Sequence, residues 1–137
     1  MPKRKSKTQR GALVKFYAEH LSANLLEQHR ETVKSVIGRK SGIYVLTRQG
    51  APAPYYVGLA SKLPSRVAHH LKDKHEGKWD RFSFYAIGKK KYLKDVETIL
   101  IRVGDPDGND QRGTFGKNRN IGKRLRREIL KAVKDNF

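Results

Sequence analysis

The sequence predicts one α/β (α+β) domain whose core runs β-β-α-β-α. Its 137 residues suffice for one hydrophobic core but not two. Three segments rich in β-branched and aromatic residues predict strands, and two segments with apolar residues at helical spacing predict helices. We therefore expect a single domain over 11–137 without internal repeats. Its parts are a helical extension at 11–41, the core at 42–112 and a basic C-terminal extension at 113–137.

The segment before the core is predicted to be a basic arm followed by helices. Residues 1–10 contain five Lys or Arg and no acid, which is typical of a disordered arm. Its Lys3, Arg4 and Lys5 are candidate phosphate contacts, although a purely solubilising tail is equally consistent. From Leu13 to Ile37 the apolar residues recur at helical spacing, which predicts one or two helices.

The core is expected to begin with an antiparallel hairpin. Residues 42–47 (GIYVLT) and 55–59 (YYVGL) both have strand composition. The connector 49–54 contains one glycine and two prolines, so it is predicted to be a loop.

A helix, a third strand and a second helix are expected to complete the core. Residues 63–72 form a helical pattern with Leu63, Val67 and Leu71 on one stripe, 82–87 are a third strand, and 92–103 are the second helix. In the tail, a basic glycine-rich stretch that contains Lys117 and Arg119 precedes a helix at 123–133. That helix either covers the core edge or contacts nucleic acid.

The charge of the chain indicates a polyanionic partner. It has 31 Lys and Arg against 13 Asp and Glu, a net charge of +18. Nucleic acid is the leading candidate, because each phosphate contact releases counterions. A membrane partner is not expected, since no basic amphipathic helix with an aromatic face appears.

The lack of cysteine excludes disulfides and thiolate zinc sites. With no signal peptide or transmembrane segment recognisable, we expect a cytoplasmic protein.

Several residues arrive in an order that resembles the GIY-YIG nuclease family: Gly42-Ile43-Tyr44, Tyr56-Val57-Gly58, Arg66, His70, Glu97 and Asn109. The match covers about half of the chain, and Val57 replaces the usual isoleucine. The resemblance implies a three-stranded antiparallel sheet flanked by helices. It also implies a DNA endonuclease that hydrolyses phosphodiester bonds with one divalent metal, Mg²⁺ or Mn²⁺, held mainly by Glu97.

The resemblance also implies a role for each remaining site residue. Tyr44 is the candidate general base assisted by His70, and Tyr56 orients the water or the phosphate. Members of the family differ in which tyrosine takes the proton. Asn109 is expected to brace the site, although Asn118 and Asn120 are rivals and an ordinary turn asparagine is an alternative.

Helix geometry indicates a functional role for Glu97 independently of the resemblance. At 100° per residue from Leu93, it lies at about 40°, between Leu100 at about 340° and Ile101 at about 80°. A carboxylate on an apolar face is costly unless a cation or strong donors satisfy it. A metal ion is the preferred explanation, and an ion pair with an arginine at the core edge is the alternative.

Arg66 and His70 are four residues apart, so both reach a common site from one helix. Arg66 suits a phosphate oxygen, whereas His69 should face solvent. Gly58 is expected to let the backbone approach the substrate, and further phosphate contacts are expected from Lys62, Lys89 and Lys90.

A non-catalytic DNA-binding module of the same fold and a basic RNA-binding protein remain alternatives. Substrate specificity is expected to be low, to depend on DNA structure or to come from a protein partner.

Overall fold

The computed structural model describes residues 11–115 and 120–135. Five of the predicted nucleic-acid contacts, Lys3, Arg4, Lys5, Lys117 and Arg119, lie outside these residues. So do the predicted arm at 1–10 and Asn118.

The described chain contains four strands and five α-helices. In chain order they are β1 (Val14–Ser22), α1 (Asn24–Gln28), α2 (Arg30–Ile37), β2 (Gly42–Thr47), β3 (Tyr56–Ala60), α3 (Leu63–His69), β4 (Arg81–Ile87), α4 (Leu93–Gly104) and α5 (Gly122–Asp135). A 3₁₀ turn, Lys90–Tyr92, precedes α4. The five core elements predicted over 42–103 are confirmed in type and order.

The strands form one sheet in the order β1-β4-β2-β3, with every neighbouring pair antiparallel. Because side chains alternate across a strand, Tyr44 and Leu46 of β2 face the side covered by α1, α2 and α3. Ile43 faces the other side, where it packs with Ile101 of α4. The predicted α/β class with an antiparallel sheet flanked by helices is therefore confirmed, but the sheet has four strands instead of three.

The extra strand corrects the expectation that 11–41 is entirely helical. Residues 14–22 are a strand that pairs with β4, and only α1 and α2 are helical in this segment. Leu13, Tyr17 and Leu21 are four residues apart, a spacing that keeps side chains on one side of a strand as well as of a helix. Pairing with β4 decides between the two, and Tyr17 stacks on Tyr85 across the strands with ring centroids 6.2 Å apart.

The C-terminal helix is confirmed, but it does not bury its apolar stripe against the described part of the chain. Leu125, Ile129 and Val133 on α5 are each about half exposed. Within the described chain, this exposure gives no support to the role of a cover for the core edge, and contact with nucleic acid stays a prediction. No helix of the described residues has the length and apolar character needed to cross a membrane.

Candidate active site

The predicted catalytic residues converge on one cleft of about 350 Å³. It lies between α3, the turn that follows α3, α4 and the loop after α4. Five of the six predicted catalytic residues line it: Tyr56, Arg66, His70, Glu97 and Asn109. The sixth, Tyr44, lies directly behind its wall.

Tyr44 and His70 form a buried pair at the back of the cleft. The Tyr44 hydroxyl and Nε2 of His70 are hydrogen-bonded at 2.7 Å, and both side chains are fully buried. Burial raises the pKa of Tyr44, and Tyr56 adds to this, whereas Arg66 acts in the opposite direction. Burial also lowers the pKa of His70, although neighbouring Asp73 opposes it. At neutral pH the pair therefore consists of a protonated phenol and a neutral imidazole.

Gly58 makes room for this pair, a role that differs from the predicted one. Gly58 is buried in β3, directly opposite Tyr44 in β2. A Cβ atom at position 58 would lie 2.5 Å from Cζ of Tyr44 and would also overlap its hydroxyl. The burial of Gly58 gives no support to the expected backbone contact with nucleic acid, and the missing side chain makes room for the phenol.

The turn after α3 holds His70 from the other side. Nδ1 of His70 and Oδ2 of Asp73 are hydrogen-bonded at 2.6 Å, and Oδ1 of Asp73 accepts the backbone N–H of His75 at 2.8 Å. Partial burial pushes the pKa of Asp73 upward, but the hydrogen bonds from His75 and His70 outweigh it and hold that pKa below its usual value. The Trp79 indole N–H donates to the His70 carbonyl at 3.1 Å and anchors the turn.

His70, Asp73 and His75 also form a group that could hold a metal ion, since their ligand atoms lie within 4.8 Å of one another. Hydrogen bonds account for the group without an ion, however. Both oxygens of Asp73 and both ring nitrogens of His70 are engaged. Nδ1 of His75 is hydrogen-bonded to the Tyr55 hydroxyl at 2.8 Å.

Arg66 and Tyr56 present polar groups to the open side of the cleft. Arg66 is exposed and Tyr56 is half-buried. The Tyr56 ring lies 5.1 Å from the His70 ring and 6.0 Å from the Tyr44 ring, measured between centroids. The cleft therefore exposes a guanidinium and a phenol directly in front of the Tyr44–His70 pair.

Glu97 lies half-buried on the opposite wall, on the α4 face where Leu93 and Ile101 are buried. Burial raises the pKa of Glu97, whereas Lys94 and the backbone N–H of Leu59 act in the opposite direction. Within residues 11–115 and 120–135, no ion pair involves Glu97. The alternative of a structural pair with an arginine therefore has no support in this part of the chain.

Asn109 fastens the loop after α4 to the edge strand β3. Its Oδ1 accepts the Val57 N–H at 2.9 Å, and its Nδ2 donates to the Val57 carbonyl at 2.8 Å. These two bonds continue the ladder of the sheet by one residue, which fixes the loop beside Tyr56.

The structure separates the remaining predicted contacts from the cleft. Lys62, Lys89 and Lys90 are exposed, but they lie outside it. His69 faces solvent as expected. Sequence reasoning missed Asp73 and His75, although an aspartate three residues after His70 was the available signal.

Comparison with known proteins finds a similarity of fold. A point mutant of the GIY-YIG N-terminal endonuclease domain of UvrC from Thermotoga maritima, bound to its catalytic divalent cation, matches with a TM-score of 0.47 and 20% identity. That match covers 59% of this chain and 97% of the other. The same domain bound to magnesium matches with a TM-score of 0.46 and 21% identity, over 58% and 96%. No family model and no curated protein matches the chain. At these TM-scores a function has to be argued from the side chains of the chain itself.

Proposed function

We propose that this protein is a metal-dependent endonuclease that hydrolyses phosphodiester bonds in DNA. The observation that carries the proposal is the cleft itself. A half-buried carboxylate on one wall faces an arginine, a phenol and a buried Tyr44–His70 pair on the other. Hydrolysis of a phosphodiester requires an activated water, an electrophile at the phosphoryl oxygen and stabilisation of the leaving oxygen.

Glu97 fits a divalent cation. Its carboxylate is partly desolvated, it has no ion pair in the described chain, and it opens into the cleft. Hard divalent cations prefer carboxylate oxygen, so Mg²⁺ or Mn²⁺ suits this donor. When bound, such an ion would polarise the phosphoryl group and offset negative charge.

The two tyrosines and His70 act in series on the proton of the attacking water. Tyr44 has no exposed surface, so Tyr56 is the phenol that faces the substrate. Its ring is stacked on the ring of Tyr44 behind it, with centroids 6.0 Å apart, and Tyr56 helps to raise the pKa of Tyr44. The proton leaves water through Tyr56 and Tyr44 and ends on Nε2 of His70, which is neutral and hydrogen-bonded to the Tyr44 hydroxyl.

Arg66 acts on the phosphate. The guanidinium is exposed at the mouth of the cleft and remains charged at every relevant pH. It can donate to a non-bridging oxygen whose charge grows in the transition state. Asn109 holds β3 and therefore Tyr56 in place.

DNA is the proposed substrate because the chain carries a net charge of +18. Lys62, Lys89 and Lys90 are exposed and supply phosphate contacts beyond the cleft. The cytoplasm is the proposed location, since a chain without cysteine suits a reducing compartment. A DNA-binding module without activity and a basic RNA-binding protein are the rivals, but neither needs a polar cleft with this set of residues.

The proposal is tested with supercoiled plasmid, single-stranded DNA, branched DNA and single-stranded RNA, each incubated with Mg²⁺ or with EDTA. We expect cleavage of at least one DNA substrate in Mg²⁺ and none in EDTA. Tight binding without cleavage of any substrate would favour the binding module. Preference for RNA would favour the RNA-binding alternative.

A further inference from the structure

We propose that Asp73 is a positioning residue that fixes the tautomer of His70 and so makes Nε2 the proton acceptor of the cleft. This inference rests on the proposed function for its catalytic consequence, but not for its structural claim. Asp73 belongs to the turn after α3, outside the set of residues that the family resemblance selects.

The hydrogen bonds dictate the tautomer. Asp73 is ionised at neutral pH, because its pKa lies below the usual carboxyl value, and an ionised carboxylate only accepts hydrogen bonds. The contact of 2.6 Å between Oδ2 and Nδ1 therefore requires a proton on Nδ1 of His70. In a neutral imidazole the other nitrogen then has the lone pair. Nε2 must accept from the Tyr44 hydroxyl at 2.7 Å.

The opposite tautomer would block the proposed proton path. With hydrogen on Nε2, His70 would donate to the Tyr44 oxygen and could not receive a proton from it. Nδ1 would then place a lone pair against the carboxylate of Asp73. Burial leaves no alternative to these two hydrogen bonds. Because His70 is only 1% exposed, water cannot replace either partner of its ring.

Asp73 is itself held in place by its second oxygen. The His75 backbone N–H donates to Oδ1 at 2.8 Å, so the carboxylate cannot rotate freely about its terminal torsion. Each oxygen thus has one fixed donor. The arrangement follows the general rule that a carboxylate behind an imidazole sets which ring nitrogen carries hydrogen.

Asp73→Asn is the informative substitution. Its amide oxygen can keep the bond from the His75 N–H, while its amide NH₂ then faces Nδ1 of His70 and can only donate. The substitution thus keeps the shape of the turn and reverses the polarity of one hydrogen bond, which forces hydrogen onto Nε2. Asp110→Asn is the matched control, since Asp110 also borders the cleft but pairs with Lys74 at an exposed position.

Two measurements test the proposal. Long-range ¹H–¹⁵N NMR spectra should show His70 with hydrogen on Nδ1 in the unmodified protein and in Asp73→Asn a switch to hydrogen on Nε2. For the DNA substrate that the unmodified protein cuts, Asp73→Asn should lower kcat by roughly 100-fold or more. KM and DNA affinity should stay within about threefold, and Asp110→Asn should retain its kcat.

The outcomes separate this inference from the proposed function. Hydrogen on Nε2 in the unmodified protein would overturn the inference even if Asp73→Asn fails to fold, and so would normal kcat in a folded Asp73→Asn. If the unmodified protein cuts no substrate but His70 switches tautomer, the structural claim holds and the proposed function fails.

Discussion

Replacement of Gly58 by alanine should damage catalysis without affecting DNA binding. The new Cβ would lie 2.5 Å from Cζ of Tyr44, whereas ordinary contacts begin at 3.4 Å, so the phenol must retreat by about 0.9 Å. A displacement of about 1 Å in a catalytic group costs roughly 100-fold in rate. Because the neighbours are fully packed, the free energy of unfolding should also fall by about 1–3 kcal/mol.

Plasmid cleavage under single-turnover conditions and urea denaturation measure the two effects of Gly58→Ala. Gly104→Ala is the control. Gly104 is the last residue of helix α4, and a Cβ at this position would meet only the ring of Pro54, at 3.1 Å. The control should cleave normally. Normal cleavage by a folded Gly58→Ala would refute the reasoning, since it would mean that the position of the Tyr44 hydroxyl does not matter.

Three further predictions follow from the charges of the site and the chain. Arg66→Ala should lower the cleavage rate by roughly 100- to 1,000-fold with a much smaller loss of DNA affinity; equal losses would assign Arg66 to binding alone. Burial depresses the pKa values of His70 and His75, so the unfolded chain takes up protons below about pH 6.5 that the folded chain refuses. The urea midpoint should therefore be lower at pH 5.5 than at pH 7.5, and an equal or higher midpoint at pH 5.5 would contradict this. DNA affinity should fall steeply between 50 and 200 mM salt, as expected for contacts to phosphates, and a flat response in a binding titration would exclude them.

The sequence was sufficient to predict the strands and helices of the core, because strand and helix patterns differ clearly in this part of the chain. The strands around Tyr44 and Val57 are β-branched and aromatic runs bounded by glycine and proline, and the helix of Val67 repeats every three or four residues. β1 could not be predicted in this way. Its apolar spacing of four fits either element, and its strand form depends on pairing with β4, whose paired residues lie 59 to 73 positions later in the chain.

The residues of the candidate site also differ in how far the sequence could predict them. Arg66, His70 and Glu97 lie on regular helices or at their ends, so their relative directions follow from helix geometry. Asp73 lies in an irregular turn, where no periodicity indicates which way a side chain points. The need for glycine at position 58 could not be predicted either, because it comes from the Tyr44 side chain on the neighbouring strand.

The most direct test of the account is the magnesium-dependent cleavage rate of Glu97→Gln at saturating DNA. The amide keeps the shape of the side chain but removes the charge that we propose holds the cation. Cleavage should be abolished while DNA affinity stays nearly unchanged. The metal-free variant should be at least as stable as the unmodified protein, because a half-buried carboxylate without an ion pair in the described chain is lost. A folded Glu97→Gln that cuts DNA at the normal rate in Mg²⁺ would contradict the central claim.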